Sequence, residues 1–134
     1  MTDPLAYLDS SAIVKLAFAE PESSALKAFV AESHGTVSSI LAKIELARVA
    51  QRLGQSHAAG DSPASILRRI AFLPLSDAIV IAAGELEPTI LRTLDAIHLA
   101  TALSVREALA GMVTYDRRLA DAARRAGLTV WSPR

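Results

Sequence analysis

The sequence of 134 residues contains no cysteine and few aromatic residues, which make up 4% of the chain. The absence of cysteine excludes a disulfide scaffold, a thiolate zinc site, an iron–sulfur centre and a cysteine nucleophile. The low aromatic content argues against a platform on which nucleic-acid bases stack. Basic and acidic residues number 14 each, so the net charge of zero gives no overall indication of nucleic-acid binding.

Long apolar runs are also missing. The apolar stretches are interrupted, well before the ~20 residues that a membrane-spanning helix needs, by charged residues at Asp77, Glu85, Arg92 and Asp95. The first residues, MTDPLAYLDS, lack the basic start and apolar core of a signal peptide. A hydrophobic content of 51% excludes a disordered chain. We therefore expect one globular domain over residues 1–134, located in the cytoplasm and not bound to a membrane.

Short apolar segments alternate with helical patterns along the chain. The predicted strands are Leu5–Leu8, Gly35–Ser38, Phe72–Leu75, Met112–Thr114 and Leu128–Trp131. The predicted helices are Ser10–Ala19, Glu22–Glu32, Ile40–Leu53, Ser65–Ala71, Asp77–Leu86, Asp95–Ala108 and Arg117–Ala126, and a loop is predicted from Gly54 to Pro63. This alternation indicates an α/β fold with a mostly parallel sheet, because parallel strands need crossover helices.

Three aspartates occupy similar positions between strands and helices. Asp9 and Asp116 each follow an apolar strand and precede a helix, and Asp95 stands at the start of the apolar helix DAIHLATAL. Taken singly, each aspartate is typical of a helix N-cap. In a parallel sheet, however, the carboxyl ends of the strands and the helix starts that follow them gather at one edge, where ligands bind. The three carboxylates are therefore expected to converge at that edge.

Glu45 is a fourth acidic candidate. Leu41 and Val49 flank it at helical spacing and indicate an inward face, although a surface pair with Arg48 explains the position about equally well. Because no lysine follows Lys43, a divalent cation is the expected partner of several converging carboxylates. A cluster of oxygen ligands favours Mg²⁺ or Mn²⁺, and such ions support phosphoryl chemistry by activating water and neutralising phosphate charge.

A resemblance that covers nearly the whole chain is carried by four segments: YLDSSAIVKL, SSILAKIELARVA, LRTLDAIHLATAL and MVTYDRRLADAARRAGLTV. In this order and spacing they resemble the PIN-domain ribonucleases, specifically the VapC-type toxins of type II toxin–antitoxin systems. The resemblance implies a three-layer PIN-like fold in which helices flank a central, mostly parallel sheet. The acidic quartet of the family falls on Asp9, Glu45, Asp95 and Asp116, with Thr114 and Ser10 as supporting polar residues.

The resemblance further implies a Mg²⁺-dependent endoribonuclease in which Mn²⁺ can substitute. Asp9 and Asp95 would be the main metal ligands, and Glu45 and Asp116 would complete the site directly, through water or by orienting the nucleophile. A metal-bound water would attack the phosphodiester and leave a 5′-phosphate and a 3′-hydroxyl. The implied partners are an RNA substrate, a second copy of the chain in a homodimer, and a cognate antitoxin that inhibits the toxin by covering its active-site groove.

Other residues near these acids have ordinary explanations that compete with a functional one. His98 follows Asp95 by three residues, and a hydrogen-bonded core histidine is favoured there over a general base. Arg117 and Arg118 follow Asp116 directly and are candidates for contacts with RNA phosphates or with acidic groups of the antitoxin. A solvated helix face is the alternative for both arginines.

Two other functions stay open at this point. One is a catalytically silent PIN fold used only for binding, against which the intact acidic quartet argues. The other is a phosphoacceptor receiver domain, which shares the size, the fold class and an acidic Mg²⁺ pocket. A receiver requires an acidic pair after the first strand and a lysine after a late strand. Here Asp9 is followed by Ser10 and no lysine follows Lys43, which disfavours this alternative.

Overall fold

The computed structural model describes residues 4–54 and 62–134. The strands in this part of the chain are β1 (Leu5–Leu8), β2 (Thr36–Ser39), β3 (Ile70–Leu73), β4 (Leu109–Val113) and β5 (Val130–Trp131). The α-helices are α1 (Ser10–Ala17), α2 (Ser23–Glu32), α3 (Leu41–Leu53), α4 (Pro63–Arg68), α5 (Asp77–Glu85), α6 (Thr93–Ser104) and α7 (Arg117–Arg125). Most of the loop predicted between Gly54 and Pro63 lies outside the described residues.

The strands form one sheet in the order β3-β2-β1-β4-β5, and every pair is parallel. The predicted α/β fold with a mostly parallel sheet is therefore confirmed. The chain builds the sheet in one direction from β1 to β3 and then places β4 on the other side of β1. The gap beyond the carboxyl ends of β1 and β4 is thus the topological switch point, where open parallel sheets bind ligands.

Helices cover both faces of the sheet and produce three layers. Along β1, Ala6 and Leu8 face a core that includes Leu16 of α1 and Leu46 of α3. Tyr7 points to the opposite face, where residues of α6 and α7, such as Leu99, form a second core. This arrangement follows from the alternation of side chains along a strand, which supplies two apolar faces when both are buried.

Local capping explains where several helices begin, and it corrects one predicted boundary. The hydroxyl of Ser62 accepts a hydrogen bond from the Ser65 amide at 3.1 Å, and Pro63 occupies the first turn. The predicted helix Ser65–Ala71 therefore begins two residues too late and ends three too late, and the predicted strand Phe72–Leu75 lies two residues too late. The buried side chain of Ile70 begins β3 instead, opposite Thr36 of β2.

The helix that carries the second aspartate of the quartet also begins earlier than predicted. α6 starts at Thr93 rather than at Asp95, and it ends at Ser104 before a short 3₁₀ turn. β4 begins at Leu109, opposite Leu5 of β1, and not at Met112. Asp95 consequently lies inside the first turn of a helix instead of in the N-cap position.

No helix in residues 4–54 and 62–134 is long and apolar enough to cross a membrane. Large apolar side chains that remain exposed cluster in α5 and the segment after it, and they include Val80, Ile81 and Ile90. Leu75 and Val80 line an apolar groove of about 450 Å³ that extends to residues of α6.

Gly111 in β4 provides a test of this packing. A Cβ atom at Gly111 would lie 2.5 Å from the carbonyl oxygen of Thr129 and 2.7 Å from the ring of Trp131. We expect Gly111→Ala to lower the free energy of unfolding by about 1–3 kcal/mol, because one strand must move away from its neighbour. The measurement is equilibrium unfolding in urea.

Gly84 is the matched control, since a Cβ atom there has no neighbour within 4 Å. Gly84 lies in the last turn of α5, so Gly84→Ala is expected to be neutral or to stabilise by up to about 1 kcal/mol. An equal loss of stability in both variants would contradict the packing described for β4 and β5.

Candidate active site

Asp9 is the most buried of the predicted acids, with 2% of its surface exposed. It directly follows β1 and caps α1, because its Oδ1 accepts hydrogen bonds from the Ala12 amide at 3.0 Å and the Ser11 hydroxyl at 2.7 Å. The hydroxyl of Thr114 donates to Oδ2 at 2.5 Å. Burial raises the pKa of Asp9 above its usual range, although these three hydrogen bonds favour the charged form.

Asp116 reaches the same edge of the sheet from β4. Its Oδ1 accepts hydrogen bonds from the amides of Arg118 at 2.9 Å and Leu119 at 3.0 Å, which makes it the N-cap of α7. Its own amide donates to the hydroxyl of Thr114 at 3.1 Å. Thr114 therefore connects Asp9 and Asp116. The Oδ2 atom of Asp116 has no hydrogen-bond partner among the described residues.

Asp95 is half-buried in the first turn of α6, and its carboxylate has no hydrogen-bond partner in the described part of the chain. Burial, followed by the negative charges of Asp116 and then Asp9, raises the pKa of Asp95 to about 6. The charges of His98 and Arg92 oppose this shift. The three aspartates are thus close enough for their charges to interact, as expected for groups at one edge of a parallel sheet.

Glu45 projects from α3 into a separate hydrogen-bonded group. Its Oε1 accepts a hydrogen bond from the hydroxyl of Ser10 and lies 2.9 Å from Nε2 of His98. Nδ1 of His98 lies 2.7 Å from the hydroxyl of Tyr7. Burial alone would raise the pKa of Glu45, but the hydrogen bonds from His98 and Ser10 lower it below the usual range. Glu45 is therefore held in its charged form.

His98 itself is 1% exposed and contacts Tyr7, Ser10 and Glu45. The interpretation as a hydrogen-bonded core histidine is confirmed. An Nε2–H tautomer donates to Glu45 while Nδ1 accepts from Tyr7, which satisfies both ring nitrogens. In its charged form His98 would lower the pKa of Asp9 and of Asp95, so it is within electrostatic reach of both aspartates as well as of Glu45.

The carboxylates are near neighbours rather than a formed ligand set. Within residues 4–54 and 62–134, no three acidic or histidine side chains stand close enough together to hold a metal ion. The donor chemistry nevertheless fits a hard divalent cation. A carboxylate has about four lone-pair sites, and three donors occupy Asp9, which leaves one site on its Oδ2. Asp95 and Asp116 contribute further oxygen atoms that lack partners among the described residues.

A groove of about 610 Å³ opens beside these groups. Ser10 of α1, Glu45 of α3 and Asp116 lie in its walls. Arg117 and Arg118, which the sequence suggested as phosphate contacts, are exposed at the start of α7 and do not contribute to this lining.

One residue of the site is missed by the sequence reasoning. Ser11 donates to Asp9 and accepts a hydrogen bond from the Tyr115 amide at 2.9 Å, so it joins the start of α1 to the segment after β4. The only sequence signal is its place two residues after a capping aspartate, where side chains often bond to the cap. Ser10, which was predicted as the supporting residue, contacts Glu45 instead of Asp9.

The raised pKa of Asp95 predicts how stability depends on pH. The folded state binds the proton of the Asp95 carboxyl more tightly than the unfolded state does. The stability that this proton contributes to the folded protein is therefore complete below about pH 4 and is lost as the pH rises through about 6. In the presence of EDTA, we expect Asp95→Asn to be more stable than the unsubstituted protein at pH 7.5 by about 1–2 kcal/mol, a value reduced for partial exposure. Urea unfolding at several pH values measures the difference.

Asp121→Asn is the control, since Asp121 is exposed and its one ion pair among the described residues is with Arg125 at 3.2 Å. The free energy of unfolding of this variant should depend on pH in the same way as that of the unsubstituted protein. The electrostatic description of the site would be contradicted if Asp95→Asn lost stability with rising pH as steeply as the Asp121 variant.

Comparisons with known proteins identify the family and the fold. A model of the PIN domain matches residues 6–125. Ribonuclease VapC46 of Mycobacterium tuberculosis is 45% identical over 127 residues, which cover 95% of this chain and 96% of the relative. Ribonuclease VapC47 of the same species is 36% identical over 131 residues, with the same coverage of 95% and 96%.

Solved structures are similar in fold. A toxin–antitoxin complex from Klebsiella pneumoniae has a TM-score of 0.71 at 22% identity and covers 96% of this chain and 98% of its own. VapC20 of M. tuberculosis, a toxin that cleaves the sarcin–ricin loop, has a TM-score of 0.69 at 12% identity, with coverage of 96% and 99%. The predicted three-layer PIN-like architecture is thereby confirmed. The chain belongs to the PIN-domain family, in its group of VapC-type ribonuclease toxins.

Proposed function

We propose that this protein is a Mg²⁺-dependent endoribonuclease that acts as the toxin of a toxin–antitoxin pair. The observation that carries the proposal is the meeting of three carboxylates at the switch point of the sheet, where Thr114 bonds to both Asp9 and Asp116 and their charges act on Asp95. Such coupled carboxylates are costly to keep charged without a counter-ion. The ribonuclease names of the relatives supply the substrate class, RNA.

We propose the cytoplasm as the place of action, and recovery of the protein with membranes would contradict this.

The residues proposed to hold the metal are Asp9, Asp95, Asp116 and Glu45. When bound there, Mg²⁺ or Mn²⁺ would lower the pKa of a water and neutralise charge on the phosphate. The chain itself prepares the site before any ion binds. Thr114 and Ser11 fix the orientation of Asp9.

Glu45 is proposed to orient the attacking water. Ser10 and His98 keep this carboxylate charged through Oε1, and Oε2 has no hydrogen-bond partner among the described residues. A charged, fixed oxygen beside the groove is able to accept a hydrogen bond from water. In the overall reaction, water oxygen bonds to phosphorus, the P–O3′ bond breaks and the 3′ oxygen takes a proton. The products are a 5′-phosphate and a 3′-hydroxyl.

Two protein partners belong to the proposal. One is a cognate antitoxin that inhibits cleavage. A solved neighbour is a toxin–antitoxin complex, and another is VapBC2 of Rickettsia felis bound to promoter DNA, with a TM-score of 0.66 at 16% identity and coverage of 96% and 99%. The other partner is a second copy of this chain. The exposed apolar side chains of α5 and the segment after it, such as Ile81 at 62% and Ile90 at 76%, support such an interface.

Cleavage of RNA tests the function directly. We expect single-stranded RNA to be cut in the presence of Mg²⁺, the products to carry 5′-phosphates, and EDTA to stop the reaction. Asp9→Asn and Asp95→Asn should each reduce the rate by at least about 100-fold, because both remove charge from the proposed metal site. Gel analysis and 5′-end sequencing are the measurements.

Asp121→Asn, which alters an exposed acid away from the groove, should retain full activity. Cleavage that persists in EDTA would contradict the metal dependence. No cleavage by the unsubstituted protein, together with harmless overproduction in its native host without an antitoxin, would favour a catalytically silent binding module. The receiver-like alternative has no support in the comparisons.

The oligomeric state tests the second partner. We expect light scattering after gel filtration to give twice the mass of one chain, because an apolar surface of this kind is usually covered. Ile81→Glu should shift the protein toward the monomer, since it places a charge in the proposed interface. Arg124→Glu changes an exposed charge on α7 instead of α5 and should leave the mass unchanged. A monomeric unsubstituted protein would contradict the homodimer.

A further inference from the structure

Two arginines of α3 continue the wall of the groove beyond Glu45. Arg48 and Arg52 line the same groove as Glu45, Ser10 and Asp116. Their spacing of three and seven residues from Glu45 places all three on one side of the helix. The carboxylates therefore lie at one part of the groove, and a basic strip along α3 leads away from them.

These two arginines keep their charge available to a ligand. Both are exposed, and neither makes an ion pair or a side-chain hydrogen bond with residues 4–54 or 62–134. Lys15, which also lines the groove, differs because its Nζ lies 3.2 Å from Glu20 and 3.0 Å from Glu22. Lys15 is thus paired with acidic side chains, whereas Arg48 and Arg52 have no such partner among the described residues.

The spacing along the helix suits an extended chain of anions. With a rise of about 1.5 Å per residue, the Cα atom of Arg48 lies about 4.5 Å, and that of Arg52 about 10 Å, from the level of Glu45. A guanidinium group binds the oxygen atoms of a phosphate in a bidentate manner. Successive phosphates of a single strand could therefore meet first Arg48 and then Arg52.

We propose that Arg48 and Arg52 bind the RNA backbone on one side of the phosphodiester that is cut, one phosphate to each arginine. The proposal rests on the proposed function and adds the path of the substrate. Arg117 and Arg118 are exposed at the start of α7 but do not line this groove, and they stay separate candidates for phosphate contacts. Both arginines of α3 are binding residues, and neither touches the reacting atoms.

The test measures how RNA affinity depends on salt. A fluorescent single-stranded RNA is titrated with the Asp9→Asn variant, which we expect to bind substrate without cutting it, and with Asp95→Asn as a second inactive background. Each phosphate contact on a single strand contributes about −0.7 to the slope of log affinity against log salt. Arg48→Gln and Arg52→Gln should each reduce the slope by about 0.7 and weaken binding about five-fold at 0.1 M salt.

Matched variants separate a specific contact from general charge. Arg68→Gln removes an exposed arginine of α4 that does not line the groove, and it should change neither slope nor affinity. Arg48→Lys, which keeps the charge, should restore most of the slope. Equal effects of Arg48→Gln and Arg68→Gln, or unchanged slopes in both α3 variants, would overturn the proposal.

The remaining outcomes distinguish this proposal from the one on which it rests. If the unsubstituted protein cuts RNA but the α3 variants bind it normally, the ribonuclease function stands and the assignment of the arginines is wrong. If the same variants lose affinity only for the antitoxin, acidic groups of that partner occupy the strip instead of RNA. If the unsubstituted protein neither binds nor cuts RNA, both proposals fail together.

Discussion

The candidate site depends on one buried contact, the hydrogen bond from Thr114 to the carboxylate of Asp9. The register pairs Leu8 of β1 with Val113 of β4, so the residues that follow, Asp9 and Thr114, stand side by side at the switch point. The Asp9 amide also donates to the Val113 carbonyl at 3.2 Å. A buried carboxylate costs several kcal/mol to desolvate, and hydrogen bonds to a charged group each return about 1.5–3 kcal/mol. The core thus fixes this carboxylate in place.

Glu45 is held by a contact between the two outer layers of the fold. α3 packs on one face of the sheet through Ala42 and Leu46, and α6 packs on the other face through Leu99. The bond between Glu45 and His98 therefore joins helices that the sheet otherwise separates. This is possible only at the edge of the sheet, where the strands end. Polar groups at that edge hold the layers in register and present charged oxygen atoms to the groove.

Local chemistry made much of this predictable from the sequence. Asp9 and Asp116 cap helices through backbone contacts only two or three residues away, and such short-range patterns can be read directly. The capping and ligand interpretations, which competed for each aspartate, are compatible. In both residues Oδ1 serves the cap, and Oδ2 is left for other contacts.

What the sequence did not reveal depends on long-range packing. The start of β3 is set by the pairing of Ile70 with Thr36, 34 residues earlier, and helical periodicity carries no information about it. Ser11 reaches the Tyr115 amide, more than 100 residues away, through a serine that looks like any other. The environment of Glu45 is a similar case, because a surface pair with Arg48 and an inward carboxylate fit the same pattern. The two interpretations are distinguished by the contact of Glu45 with His98, which belongs to a helix on the other face of the sheet.

The net charge of zero conceals an uneven distribution that matters for the proposed substrate. RNA phosphates approaching Asp95 and Asp116 would be repelled by these carboxylates, where burial, followed by the charges of Asp116 and Asp9, raises the pKa of Asp95 to about 6. A divalent cation offsets this repulsion only where it binds. The rest of the strand needs positive charge from the protein, and Arg48 and Arg52 supply it without internal acidic partners among the described residues. The overall balance of 14 basic and 14 acidic residues therefore argues against extended nonspecific binding, and not against a short basic path beside an acidic centre.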